Sequence, residues 1–208
     1  MPLLLFQRHS SSLVWAIWNI TESPEELLAE MHSGETIPPE ITNPRKQAEW
    51  FAGRLLVRYM LVSLGIPYQG LQKDIHGKPW IVGRQSMQLS LSNSFPLVAA
   101  SVHPRLPVGI DIERPRFSML KVVPRVLKPL ETARINENAE RACMLWCAKE
   151  ALFKRYGKKP VSLRNDLTVD ELPDMLPGRI SGLVFGERVH LYGQRVMDHI
   201  LVFTETQD

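Results

Sequence analysis

Trp50-Phe51-Ala52-Gly53-Arg54-Leu55-Leu56-Val57-Arg58 recurs, 96 residues further on, as Trp146-Cys147-Ala148-Lys149-Glu150-Ala151-Leu152-Phe153-Lys154, with Trp, Ala, a charged residue, Leu and a closing base at matched positions. Both stretches space their apolar residues as an amphipathic helix does. The first helix has a start at Asn43-Pro44, Asn capping and Pro at the first helical position, and stops at Gly65 and Pro67. The second runs from Asn138 through Tyr156 and ends at Gly157, with Lys158 and Lys159 just beyond. A repeat of half the chain predicts an α+β fold of two similar lobes, residues 1–103 and 104–208, related by a pseudo-twofold. Each lobe is then a long helix packed on a small antiparallel sheet, and the lobes meet at a cleft. Chance likeness between two helical patterns is the alternative reading of the same residues.

Outward from the helices, short extended runs supply the sheets. Met87–Leu91, Leu97–Val102 and Val108–Glu113 are strand candidates, the last two joined by the Pro-containing loop at residues 103–107. After Pro177 the pattern is extended again over Ile180–Phe185, Arg188–Tyr192 and His199–Thr204, with Gly186-Glu187 as a hairpin turn.

Composition bounds the function. The 208 residues are 44% hydrophobic and 23% charged, enough to bury a core, and no apolar run approaches the length of a membrane span. No basic segment leads into an apolar run and cleavage site, so a cytoplasmic protein is expected. A net charge of +3 and a pI near 8.9 suit an anionic ligand or partner without requiring nucleic acid. Cys143 and Cys147, four apart on one helix, read as buried packing rather than a disulfide or half of a zinc site. The six histidines show no metal-ligand spacing, and no glycine-rich phosphate loop of the nucleotide-triphosphate or dinucleotide type occurs.

Chemistry concentrates in Val108-Gly109-Ile110-Asp111-Ile112-Glu113, where the strand period puts Asp111 and Glu113 on one face and the two isoleucines on the other. Two carboxylates side by side repel, so they need a cation or an open, solvated face. A magnesium ion, which takes one or two carboxylates and completes its shell with water and phosphate oxygens, would account for the pair. On the second helix Glu150 and Lys154 lie one turn apart, either as a surface ion pair or as a third acid and a phosphate-binding cation.

Asp111-Ile-Glu113 followed by Trp146-x-x-Lys149-Glu150-Ala151-x-x-Lys154 resembles the paired signature of the 4′-phosphopantetheinyl transferases. Chain length and the half-chain repeat favour the Sfp-type branch, pseudo-dimeric monomers, over the short trimeric holo-acyl-carrier-protein synthases. Weaker matches are Gly53-Arg54-Leu-Leu-Val-Arg58, Gly77-Lys78-Pro79-Trp80 and Leu89-Ser90-Leu91-Ser92-Asn93-Ser94.

The resemblance implies transfer of the phosphopantetheine arm of coenzyme A to a serine of an apo acyl or peptidyl carrier protein, releasing adenosine 3′,5′-bisphosphate. It implies magnesium held by Asp111, Glu113 and Glu150, with Glu150 also activating the serine hydroxyl and Lys154 meeting the pyrophosphate. By motif position, Arg54 and Lys78 meet the nucleotide end with its 3′-phosphate, Ser92 donates to the pyrophosphate, and Arg45 is a looser candidate for the same work. Asn93 stands where the family usually has His; an amide donates a hydrogen bond but carries no charge, so a charge-assisted phosphate contact is lost.

Residues 114–130 hold Arg114, Arg116, Lys121, Arg125 and Lys128 with no acid, interleaved with Phe117 and aliphatic residues. The family picture makes this a docking surface for an acidic carrier-protein helix; a solvated basic face over core residues is the alternative. Two other functions compete: a non-catalytic coenzyme A or carrier-protein binding module, and a nucleic-acid-binding protein. The latter calls for aromatic residues among the basic ones, and the basic segment contains one.

Overall fold

A computed structural model describes residues 3–32 and 34–206. It divides into two compact units, one running to Leu106 and the other from Pro107. Each is α+β, an antiparallel sheet packed with one long helix.

In the first unit, β1 (Leu3–Arg8), β2 (Val14–Asn19), β5 (Gln88–Ser94) and β6 (Leu97–His103) form a sheet in the order β1-β2-β6-β5, which leaves β5 at an edge. A small hairpin, β3 (Leu71–Lys73) with β4 (Pro79–Ile81), lies between them in sequence. The long helix α2 (Pro44–Ser63) follows the short α1 (Pro24–Ala29). It begins as expected: Asn43 Oδ1 accepts from the Arg45 and Lys46 amides, and Pro44 occupies the first turn. Phe51, Ala52, Leu55, Leu56 and Met60 of α2 pack with Ala16, Trp18, Val98 and Ala100 of the sheet. Removing a side chain such as Leu56 from water is worth about 1.5–3 kcal/mol, so this face sets where the helix lies.

In the second unit, β7 (Ile110–Glu113), β8 (Leu167–Glu171), β9 (Gly178–Val184), β10 (Glu187–Val196) and β11 (His199–Thr204) form a sheet in the order β7-β11-β10-β9-β8. Short helices α3 (Met119–Val122) and α4 (Pro129–Ala133) flank a 3-10 turn at Val123–Val126. Helix α5 (Ala139–Tyr156) is capped by Asn138, whose side chain accepts from the Glu140 and Arg141 amides, and ends at Gly157 in the left-handed region, φ 69°. Its buried face, Ala142 through Leu152, packs with Val169, Ile180, Leu191, Ile200 and Val202.

Strand bounds differ from the expected ones in informative ways. The β9–β10 turn is Phe185-Gly186, both with positive φ (49° and 87°), one residue earlier than Gly186-Glu187. Val108 and Gly109 precede β7 rather than belonging to it. Both cysteines are buried free thiols, and Cys143 and Cys147 point their sulfurs at the carbonyls of Glu113 and Ile200 (3.5 and 3.7 Å). Burial pushes the Cys147 thiol well up, so it packs without reacting. Among the described residues no helix is long and apolar enough to cross a membrane.

Candidate functional site

Strand β7 pairs with β11 so that Asp111 lies opposite Val202 and Glu113 opposite Ile200. Val202 and Ile200 belong to the core under α5, so the two carboxylates emerge on the helix side of the sheet. Gly109 makes the approach close: a Cβ there would run into the Ala151 carbonyl and come within 2.8 Å of the Arg155 nitrogen. Strand and helix therefore meet backbone to backbone, and Lys154 reaches across, its Nζ donating to Asp111 Oδ1 (2.6 Å) and to the Ile110 carbonyl (3.2 Å).

Glu150, one turn before Lys154, completes the group. Burial raises its carboxyl above the usual range, the Asp111 charge adds to that, and Lys154 opposes it. Asp111, Glu150 and Lys154 are thus brought together. Glu113, on the same face of the strand, accepts at Oε1 from Arg116 Nη2 (2.7 Å) and the Arg114 amide (3.0 Å). Among the described residues no three His, Cys, Asp or Glu side chains converge as a metal-binding group. Asp111 and Glu150 nonetheless suit a hard divalent cation, because one ammonium balances two oxygen-rich anions in a half-buried place.

The neighbouring motif residue Lys149 faces the other way. Its side chain is fully buried, and its Nζ meets Glu131 Oε1 (2.8 Å) and the carbonyls of Leu163 (2.9 Å) and Leu167 (2.6 Å). Glu131 in turn accepts from the Val169 amide (2.7 Å) and the Lys128 amide (2.6 Å). One helical stretch thus carries a site cation and a structural cation five residues apart.

The first unit holds a cleft of about 550 Å³ that gathers Arg54, Ser92 and Asn93 with Lys46, Glu49, Trp50 and Lys73. The Arg54 guanidinium lies over the Trp50 ring, its carbon 3.4 Å from the centroid. Lys78 stands between two lining residues, Gly77 and Pro79, at the end of a turn in which Asp74 Oδ1 accepts from the His76 and Lys78 amides. Arg45 is not brought into the cleft; its guanidinium sits 4.9 Å from the Phe95 ring centroid. Asn93 is engaged within the protein: its amide donates to Glu49, a buried carboxylate that also pairs with Lys46 at 2.6 Å. Sequence reasoning missed Glu49 and Lys46. The signal available was their spacing of three on a capped helix.

In the basic segment the apolar residues divide. Met119, Val123 and Leu127 enter the core, whereas Phe117 and Leu130 are 84% and 81% exposed. Arg114 pairs with Asp198 and Arg116 with Glu113; Lys121 and Arg125 are exposed and form no ion pair among the described residues.

Residues 107–199 match the family model described as the 4′-phosphopantetheinyl transferase superfamily. The chain is similar to a 4′-phosphopantetheinyl transferase of Bacillus subtilis, 29% identical over 142 residues, which cover 59% of this chain and 62% of that protein. The chain therefore spans somewhat less than two thirds of the length of the curated relative it matches.

Proposed function

We propose, from the match of residues 107–199 to the 4′-phosphopantetheinyl transferase superfamily, that the chain is a member of it and moves the phosphopantetheine arm of coenzyme A onto a serine of an apo carrier protein. The observation that carries this reading is the convergence of Asp111, Glu150 and Lys154 across the Gly109 contact, inside the matched segment. Asp111 and Glu150 would hold magnesium, which when bound draws off negative charge growing on the leaving phosphate. Glu113, held by Arg116, stands ready as a third carboxylate of the expected set.

Glu150, with its raised carboxyl, is the base for the serine hydroxyl, since a base works best when its pKa approaches the working pH. Lys154 supplies a cation to the pyrophosphate. Arg54, Lys78 and Ser92 take the nucleotide end in the cleft of the first unit, which is large enough for part of a coenzyme A molecule and rich in cations. The exposed Lys121 and Arg125 beside Phe117 and Leu130 form a basic face with apolar anchors for an acidic carrier helix. The matched burial of Ala52 with Ala148 and of Leu56 with Leu152 supports descent of the two units from one duplicated unit, the basis of the pseudo-twofold reading.

Incubation with coenzyme A, magnesium and apo carriers of the fatty-acid, polyketide and peptide-synthetase types, followed by weighing the carriers, tests this. At least one carrier is expected to gain the mass of a single phosphopantetheine arm, more slowly as salt rises, because screening at a Debye length of about 8 Å weakens steering. Coenzyme A binding with no carrier modified would leave a binding module instead.

Asn93→His carries a separate expectation. The introduced imidazole meets Glu49, so its pKa is expected to rise, and the ion pair is expected to add stability that is full at low pH and lost as pH rises through that raised value. NMR titration of the ring measures it. An imidazole titrating at or below its ordinary value would mean that Glu49 does not face position 93.

A further inference from the structure

The cleft of the first unit carries an acid among its cations. Glu49 lines it beside Lys46, Arg54 and Lys73, and its side chain is 6% exposed. Both of its side-chain bonds fall on one oxygen: Oε2 accepts from Lys46 Nζ (2.6 Å) and from the Asn93 amide nitrogen. The other oxygen, Oε1, has no hydrogen-bond partner among the described residues and stays open to the cleft. A bare carboxylate oxygen in a site for a polyanion weakens binding unless the ligand brings it a donor.

Asn93, exposed on the edge strand β5 and lining the same cleft, adds a second acceptor. Its nitrogen must be the atom facing Glu49, because an amide oxygen there would meet another oxygen. Its Oδ1 is then left without a partner among the described residues. Phosphate oxygens are acceptors too and are repelled by such a corner. A hydroxyl offers one hydrogen and turns its own lone pairs on the second acceptor. An aromatic amino group fits, with two hydrogens in one plane and a lone pair drawn into the ring. We propose that Glu49 and Asn93 read the exocyclic amino group of the adenine of coenzyme A, Glu49 being the specificity-determining residue, and leave the phosphates to the cations of the cleft. The inference rests on the coenzyme A reading of the cleft.

Charge and hydrogen bonding give opposite outcomes at Glu49. If the carboxylate does nothing but hold Lys46 and Asn93, Glu49→Gln removes a repelling charge and coenzyme A binds more tightly, whatever its base. If Oε1 accepts from adenine, the same variant binds coenzyme A less tightly. The Gln oxygen takes over Lys46 and Asn93, and its amide hydrogens then meet those of the adenine, donor against donor. A site built around a ligand donor rejects the analogue that lacks it, because its own acceptors are left unpaired.

The test is calorimetric titration of the whole chain with coenzyme A and with its purine analogue, which lacks only the amino group. The natural protein is expected to prefer coenzyme A about tenfold or more, as loss of one charge-assisted contact predicts. Glu49→Gln is expected to weaken coenzyme A while holding or tightening the analogue, so that the preference falls to about twofold or less. Asn93→Ala, at an exposed position where folding has little at stake, is expected to cut the preference about threefold or more. A purely structural role would move both ligands together and leave their ratio unchanged. Equal affinity of the natural protein for the two, a Glu49→Gln protein that binds coenzyme A more tightly, or a preference kept by Glu49→Gln or Asn93→Ala would each overturn the proposal and leave the cleft reading in place. A natural protein that binds neither ligand would overturn that reading, and this inference with it.

Discussion

Glu150→Gln is expected to lose roughly 10²–10⁴-fold of transfer activity, the usual worth of a positioned base, and yet to melt at a higher temperature than the natural protein. The two effects share a cause. Burial and the Asp111 charge raise the Glu150 carboxyl, which means that its ionised form is less welcome in the folded chain than in the unfolded one. For an acid with a raised pKa, the folded state is favoured most below the ordinary carboxylate range and loses that advantage as pH rises through the raised value. The natural protein is thus expected to lose stability over that window in the absence of metal, and the amide, which never ionises, is not. Thermal melts across a pH series in a chelating buffer, beside carrier-modification rates with magnesium, measure both. Magnesium is expected to raise the melting temperature of the natural protein more than that of the variant. A variant that melts lower at every pH, or retains full activity, would remove Glu150 from the site.

Lys149→Met is expected to cost about 3–5 kcal/mol, the price of leaving one member of a buried ion pair behind. The substitution strands the Glu131 carboxylate, 2% exposed, and the carbonyls of Leu163 and Leu167, all of which now meet the ammonium. Against a typical total of about 5–15 kcal/mol, that is a large share of the stability of the fold. Adding Glu131→Gln is expected to return part of the loss, because an amide oxygen still accepts from the Val169 amide without a buried charge. Urea unfolding of the single and double variants provides the numbers. A single variant within 1 kcal/mol of the natural protein would show that this network does not hold the connection before β8 to α5. The contrast with Glu150 gives adjacent motif residues separable signatures, one in turnover and one in stability.

Features governed by neighbours in sequence were legible. Asn43-Pro44, Asn138 and Gly157 mark helix ends because caps act within a turn, and α2 and α5 begin and end within a residue or two of where they were read. His199–Thr204 is a strand with the expected bounds. Strands β1 and β2 were not legible. Strand β2 is covered on both faces and loses its alternation, since the buried Val14-Trp15-Ala16-Ile17-Trp18 has no polar face to mark it; β1 is a half-exposed edge strand whose Leu3-Leu4-Leu5-Phe6 run does not alternate either. The hairpin turn moved because Phe185 adopts a left-handed conformation that favours glycine and asparagine, which local preference argues against.

At the site, face arithmetic on one strand and one helix points to Asp111, Glu150 and Lys154 as a group, and the structure brings the three together, since each lies on its own element in a fixed direction. It failed wherever a partner arrives from afar. Asn93 turns to Glu49, 44 residues away, and Lys149 turns inward to Glu131 from an adjoining element. The partner of Glu113 is local, Arg116 three residues on, and a spacing of three along an extended segment does not announce an ion pair.

The missing methyl at Gly109 gives the site its dimension. With main chain against main chain there is no side chain in the gap to swell, shrink or rotate, so its width does not drift as the surrounding core is rewritten over generations. A lineage can trade one aliphatic residue for another beneath α5 and keep the reach of Lys154 to Asp111 unchanged. It cannot trade the glycine, since even the smallest substituent would stand where the Ala151 carbonyl already is.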